Sequence, residues 1–297
     1  MQAQITARRT AILEAPSILG LRPTGVERLP EALLANGLAE RTHSRHAGRI
    51  VPDAAYSSWR DPQTLTLNAR SIANYSLKLA DAVGELLDSK EFPIVLGGDC
   101  SIVLGPALAM RRRGRYGLLF IDGHTDFYQP EANPNGEAAS MDLAFVTGRG
   151  PAVVTNLDGH SPLVRDEDVF VFGYRDADEQ AEFGSQPLPP AMKSFDLATV
   201  RRLGIEAAAK EAVSHVTRCE LAGFWIHVDA DSLDDAIMPA VDYRLEGGLS
   251  KHELQTILRI ALASGRAVGF EITIYNPSLD PKGTAGVVLT DILATVL

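Results

Sequence analysis

Three short acidic segments each follow directly on an apolar run: Gly97-Gly98-Asp99-Cys100-Ser101, Asp122-Gly123-His124-Thr125-Asp126 and Asp229-Ala230-Asp231. Short apolar runs of this kind read as buried strands. Loops at the carboxyl ends of such strands are where an open α/β sheet builds its site. The segments therefore constrain fold and chemistry together. They bring carboxylates, one imidazole and one thiol to a common edge.

The rest of the chain supports the same class. Strands are expected over 11–15, 92–96, 118–121, 169–172, 224–228 and 267–274. Helical periodicity lies between them, over 26–37, 72–87, 104–113 and 251–264. Ser250 followed by Glu253 gives the last of these a capping box. A short helix over 290–297 is expected to close the chain. Strands alternating with helices are the α/β signature. The Pro-, Gly- and Asn-containing stretches 128–150 and 185–197 read as long functional loops.

Composition narrows the partners. A formal net charge of −10 argues against nucleic acid or an anionic membrane. The two cysteines, Cys100 and Cys219, make no disulfide framework, which suits a reducing cytoplasm. Residues 1–10, with Arg8 and Arg9, have neither the form of a signal peptide nor that of a membrane span.

The spacing of Asp122, His124 and Asp126 puts all three side chains on one side if the backbone stays extended. Asp229 and Asp231 repeat the arrangement. Converging carboxylates repel and need a cation. An oxygen-rich set with one imidazole suits a divalent ion such as Mn²⁺, and a pair of ions sharing carboxylates can make a nucleophile from water. Without such convergence, acidic residues after strands are ordinary solvated loop ends or helix caps.

With these residues the chain resembles the ureohydrolases: arginase, agmatinase, guanidinobutyrase and formimidoylglutamase. The signatures Gly-Gly-Asp-His-Ser, Asp-Ala-His-x-Asp and Ser-x-Asp-x-Asp-x-x-Asp-Pro correspond to Gly97 through Ser101, Asp122 through Asp126, and His227 through Asp235. The segments Gly20-Leu21-Arg22-Pro23-Thr24-Gly25, Gly173-Tyr174-Arg175-Asp176, Gly247-Gly248-Leu249-Ser250 and Asn276-Pro277-Ser278-Leu279-Asp280 also fit, as does Pro239. The resemblance implies one arginase-like domain over 1–297, a three-layer α/β/α arrangement around a mostly parallel sheet of about eight strands. It implies two Mn²⁺ ions, one taking Cys100, Asp122, Asp126 and Asp229, the other His124, Asp122, Asp229 and Asp231. A hydroxide bridging them, oriented by Asp126, would attack a guanidinium or amidine carbon of a small molecule. Asp99 and His227 are expected just behind the ligands. The resemblance also implies a homo-oligomer.

Four departures from the pattern matter. Cys100 stands where the family has a histidine ligand. A thiolate is softer than imidazole and adds a negative charge, so a softer metal is possible there. A similar exchange occurs in the hydroxyarginine hydrolase of D-cycloserine biosynthesis, which resembles arginase and remains active. A small buried residue that binds nothing is the plainer alternative. His227 replaces the serine two residues before the paired aspartates; strand alternation places it on their side, where it can hydrogen-bond a ligand carboxylate or sit as a satisfied core histidine. The stretch 135–141 lacks the arginase proton-shuttle histidine, which leaves only Glu137 or His160 as weak substitutes. Ile274 aligns with the glutamate that grips the guanidinium, and Glu271 falls on the opposite face.

Asp176 and Asp178 match the arginase segment that contacts the substrate's α-amino group, and Asn135 and Glu137 align with side chains that hold its α-carboxylate. Glu137 would repel a carboxylate. The alternative to an enzyme is a paralogue that keeps the fold and one ion, or none, and only binds a ligand or stabilises an assembly.

Overall fold

The computed structural model describes residues 8–297. Eight strands form one sheet: β1 (Thr10–Ala15), β2 (Arg45–Arg49), β3 (Phe92–Gly97), β4 (Gly117–Ile121), β5 (Val169–Phe172), β6 (Lys193–Phe195), β7 (Phe224–Asp229) and β8 (Ala267–Thr273). Their order is β2-β1-β3-β8-β7-β4-β5-β6, and every neighbouring pair is parallel. The six strands expected from apolar runs are present. The two unexpected ones, β2 and β6, are the edges.

Edge position explains why β2 carries no apolar signal. Its sequence, Arg-His-Ala-Gly-Arg, is half solvated and bonds to β1 alone. Charged side chains on an edge strand also block pairing with other chains. Arg45 Nε lies 2.9 Å from Glu91 Oε1, and Arg49 Nη1 lies 3.1 Å from Glu14 Oε2. β6 falls within 185–197, the stretch expected to be a loop.

Within central strands, consecutive side chains enter opposite layers. Ile12, Ile94, Leu119, Ile226 and Phe270 pack on one face, and Leu13, Val95, Leu118, Phe120 and Trp225 on the other. Helices Leu29–Ala35, Ile205–Val216, Lys251–Ala263 and Thr284–Ala294 cover the first face; Ala69–Asp88 and Leu104–Arg111 cover the second. The result is the three-layer α/β/α arrangement expected.

Helix boundaries follow local chemistry. The capping box at Ser250 forms, with Ser250 Oγ accepting from Glu253 N and Glu253 Oε2 accepting from Ser250 N. Periodicity over 26–37 resolves into a 3₁₀ turn, Val26–Arg28, and helix Leu29–Ala35, which has Pro30 in its first turn. The closing helix is Thr284–Ala294 and starts earlier than expected, because Asp280 accepts from Thr284 N at 3.0 Å and Gly286 N at 3.0 Å. Helices Ala177–Phe183, Leu197–Leu203 and Ile205–Val216 had no counterpart in the sequence reading.

β3, β8, β7 and β4 lie side by side at the centre of the sheet. Three of these four strands end in the acidic segments, so topology alone brings those segments to one edge. Among the described residues no helix is long and apolar enough to cross a membrane.

Candidate metal centre

Asp122 follows β4, Asp229 ends β7 and Cys100 follows β3 after the Gly97-Gly98 turn. All three are buried. Cys100 Sγ lies 2.8 Å from Asp229 Oδ2 and 3.0 Å from Thr273 Oγ1 at the end of β8. His124 Nδ1 lies 2.9 Å from Asp231 Oδ2, and the His124 backbone N–H donates to Asp122 Oδ1 at 2.7 Å. Asp231 Oδ1 accepts from Gly123 N at 3.1 Å, and Asp231 N donates to Asp229 Oδ1 at 2.7 Å. The loops after β4 and β7 are thus stitched together by their own carboxylates. Asp126 sits beyond them at φ 46°, in the left-handed region that a non-glycine residue adopts only under constraint.

Two sets of side chains present one donor atom each within 4.8 Å of one another: Cys100, Asp122 and His227, and Asp122, His124 and Asp231. Asp122 belongs to both, as a bridging ligand would.

Electrostatics favour a cation. Burial, and then the neighbouring carboxylates, push Asp122, Asp126 and Asp229 well above the usual carboxylate range. Burial and then Asp229 push the Cys100 thiol up. Asp231 goes the other way: burial raises it, but the His124 charge and hydrogen bond, with Arg175, hold it below its ordinary value. His124 shows the complementary effect, with burial lowering it and Asp231 raising it to about 9. Asp122 Oδ2 is buried with no hydrogen-bond partner. A buried acceptor of this kind costs free energy unless something positive meets it. The donor set therefore fits divalent metal.

Residues around the ligands hold the loops. Asp99 accepts from Ser17 Oγ at 3.0 Å, Gly20 N at 3.1 Å and Ser101 N at 3.0 Å, and also bonds the Ser101 hydroxyl. It pins the loop that carries Cys100 and hydrogen-bonds none of the candidate ligands. Arg175 Nη2 donates to the carbonyls of Asp231 at 2.9 Å and Leu245 at 3.1 Å. Asp176 is buried and accepts from Thr125 N at 2.9 Å and Thr125 Oγ1 at 3.0 Å.

A sequence model of the arginase family matches residues 8–297, nearly the whole chain. The chain belongs to the arginase family. It is 28% identical to an arginase of Bacillus subtilis over 294 residues, covering 97% of both chains. The solved arginase from Bacillus caldovelox superposes with a TM-score of 0.86 at 26% identity, covering 97% of this chain and 98% of that one. The agmatine ureohydrolase of Thermoplasma volcanium shares the fold, with a TM-score of 0.70 at 17% identity over 97% of this chain and 88% of that one.

Next to these candidate ligand side chains lies a cleft of about 340 Å³. His124, Asp126, Asp229 and Asp231 form its floor; Leu21, Pro134, Phe183 and Ile274 give it apolar walls; Asn135, Glu179 and Tyr243 add polar ones. Ile274 takes φ 71° just past β8, a rare conformation for a β-branched residue.

Not every expected substrate residue reaches this cleft. Asn135 does. Glu137 is fully buried behind it, held by Arg22 Nε at 2.8 Å, Asn135 Nδ2 at 3.0 Å and Tyr243 OH at 2.5 Å. That network already satisfies its carboxylate, so it faces neither a substrate carboxylate nor a departing proton. Asp178 is exposed on helix Ala177–Phe183, and Glu179 takes its place on the cleft. Asp176 is committed to Thr125, and His160 lies outside the cleft lining.

His227 does not hydrogen-bond a ligand carboxylate. Its Nδ1 lies 2.9 Å from Glu271 Oε1, and its Nε2 is 3.9 Å from Asp122 Oδ2. Glu271 is thus paired with His227 across β7 and β8, which the sequence reading missed although the strands' parallel register puts the two residues opposite each other. Asp142 was also missed. It is fully buried at the start of helix Asp142–Val146, with both oxygens lacking a hydrogen-bond partner. Its signal was a lone carboxylate inside the apolar run Met141-Asp142-Leu143-Ala144-Phe145-Val146.

Proposed function

We propose that this arginase-family hydrolase cleaves a C–N bond of a guanidino, amidino or related small molecule, using two divalent ions, Mn²⁺ foremost, held in the cleft. The observation that supports this is the convergence of His124, Asp126, Asp229 and Asp231 at the cleft floor, with the buried residue Asp122 shared by two potential ligand sets, one of which includes Cys100. One ion would draw on Cys100, Asp122, Asp126 and Asp229, the other on Asp122, His124, Asp229 and Asp231. Bound there, the ions would supply hydroxide at neutral pH and polarise the substrate.

The chain's own groups do the rest. Asp126 opens on the cleft and orients the attacking water, taking its proton and returning it to the departing nitrogen. No histidine lies in 135–141 and Glu137 is tied down, so neither offers a proton carrier beside Asp126. The apolar walls fit an aliphatic chain, and Asn135 and Tyr243 face its far end.

Arginine is the first substrate to try, because relatives across nearly the full length are named arginase. Ile274 argues for a substrate less dependent on a charged guanidinium, since charge-assisted pairing supplies that grip. Cys100 and Cys219 are both free thiols, in keeping with a reducing cytoplasm, and a homo-oligomer is part of the same proposal.

The test is a screen of the Mn²⁺-loaded protein against arginine, agmatine, guanidinobutyrate, hydroxyarginine and formimidoylglutamate, reading urea, formamide and ammonia. Turnover of one of them is expected. No turnover with both metal positions filled would end the guanidino reading and leave the ligand-binding paralogue.

A further inference from the structure

We propose that His227 is itself a metal ligand, binding through Nε2 beside Cys100 Sγ and Asp122 Oδ2, and so restores the imidazole that the cysteine at position 100 displaces. The inference rests on the metal-centre reading and adds a ligand to it from inside β7, two residues before Asp229.

In a buried histidine both ring nitrogens are commonly hydrogen-bonded. In His227 only one is. Its ring is fully buried, and Nδ1 is 2.9 Å from Glu271 Oε1. That bond selects the tautomer, with Nδ1–H donating to the carboxylate and Nε2 keeping its lone pair. Nε2 has no hydrogen-bond partner, and neither has Asp122 Oδ2, which faces it at 3.9 Å. Two buried acceptors turned on each other gain nothing from that arrangement. The gap is too wide for a hydrogen bond, yet metal bonds of about 2 Å each span up to about 4 Å.

Cys100 completes the set, with its ligand atom within 4.8 Å of the other two. The position of the ring is fixed. It stacks on Phe120 with centroids 4.4 Å apart and planes 10° from parallel, so Nε2 cannot swing away. A histidine that donates its second nitrogen to a carboxylate while the first faces the ion is the usual arrangement at a metal site. Here Glu271 is the carboxylate. Its pairing with His227 is built into the register of β7 on β8.

The donor set has a consequence for metal choice. Thiolate, imidazole and carboxylate make a softer site than the one formed by Asp122, His124 and Asp231, and favour Zn²⁺ or Co²⁺ over Mn²⁺. On binding, the Cys100 thiol proton goes to solvent. Glu271 is a positioning residue in this scheme.

The experiment loads metal-free protein with Co²⁺ and reads two spectra that do not depend on turnover. A thiolate-to-cobalt charge-transfer band reports Cys100. A hyperfine-shifted imidazole N–H proton that exchanges slowly with solvent reports His227, because its N–H is buried against Glu271. Wild type is expected to show both. His227→Asn should lose the protected proton and weaken cobalt affinity at this position on the order of 100-fold; Glu271→Gln should shift that proton signal and weaken affinity less. The wild-type spectrum decides the matter even if a variant misfolds. A charge-transfer band without the protected proton overturns the assignment of His227 and leaves the metal centre standing. No cobalt uptake at all overturns both.

Discussion

The Arg175 guanidinium occupies the space that a side chain at Gly123 would need. A Cβ at position 123 would fall 2.5 Å from Arg175 Nη1 and 2.7 Å from the Asp231 carbonyl oxygen. The arginine end can move, but the carbonyl belongs to the loop that aims Asp231 at His124. Gly123→Ala restores the alanine of the family signature, yet it should weaken metal binding about tenfold and cost roughly 1–3 kcal/mol of stability. A metal titration with a thermal melt checks both, and a variant matching wild type in the two measurements would refute the steric reading.

Cys100→Ala should lose one ion per chain. The thiol lies 2.8 Å from Asp229 Oδ2 and faces the shared Asp122. Elemental analysis after dialysis reads the result. Retention of the full metal content at unchanged affinity would rule out the thiol as a ligand.

Metal-free protein should lose stability as pH rises from 6.5 to 9. His124 is raised from its ordinary 6.5 to about 9, with burial opposing and Asp231 winning. A group whose folded value lies above its unfolded one lends stability that is complete below the unfolded value and gone once pH passes the folded value. The raised carboxyls of Asp122, Asp126 and Asp229 act in the same sense. Asp231, which is lowered, loses its contribution only in acid, outside this window. Melting curves of chelator-treated protein should therefore show Tm falling by a few degrees across that range. A Tm that rises instead would contradict the electrostatics.

Ile274→Glu should improve binding of a guanidinium compound. Ile274 is an apolar wall of the cleft and offers a guanidinium no charge partner of its own. A charge-assisted pair contributes about 1.5–3 kcal/mol, on the order of tenfold to a hundredfold in affinity. Calorimetry with agmatine tests this, and unchanged affinity in a folded, metal-loaded variant would place the substrate's charge elsewhere.

Much of this was legible in the sequence because apolar runs ending in acidic residues mark buried strands and site loops at once. β4 with Asp122 and β7 with Asp229 announced themselves in this way. β2 and β6 did not, since an edge strand bonds on one side and needs no apolar pattern. The pairing of His227 with Glu271 depends on β8 lying beside β7, a long-range fact that no local spacing encodes. Glu137 shows the converse: its place in the sequence suggested the substrate, while contacts with Arg22 and Tyr243 took it out of reach.

The metal content of the purified protein after Mn²⁺ loading bears most directly on the whole proposal. The buried, mutually raised carboxyls and the shared Asp122 predict about two ions per chain, retained through gel filtration. A count near zero with Mn²⁺ in excess would contradict it.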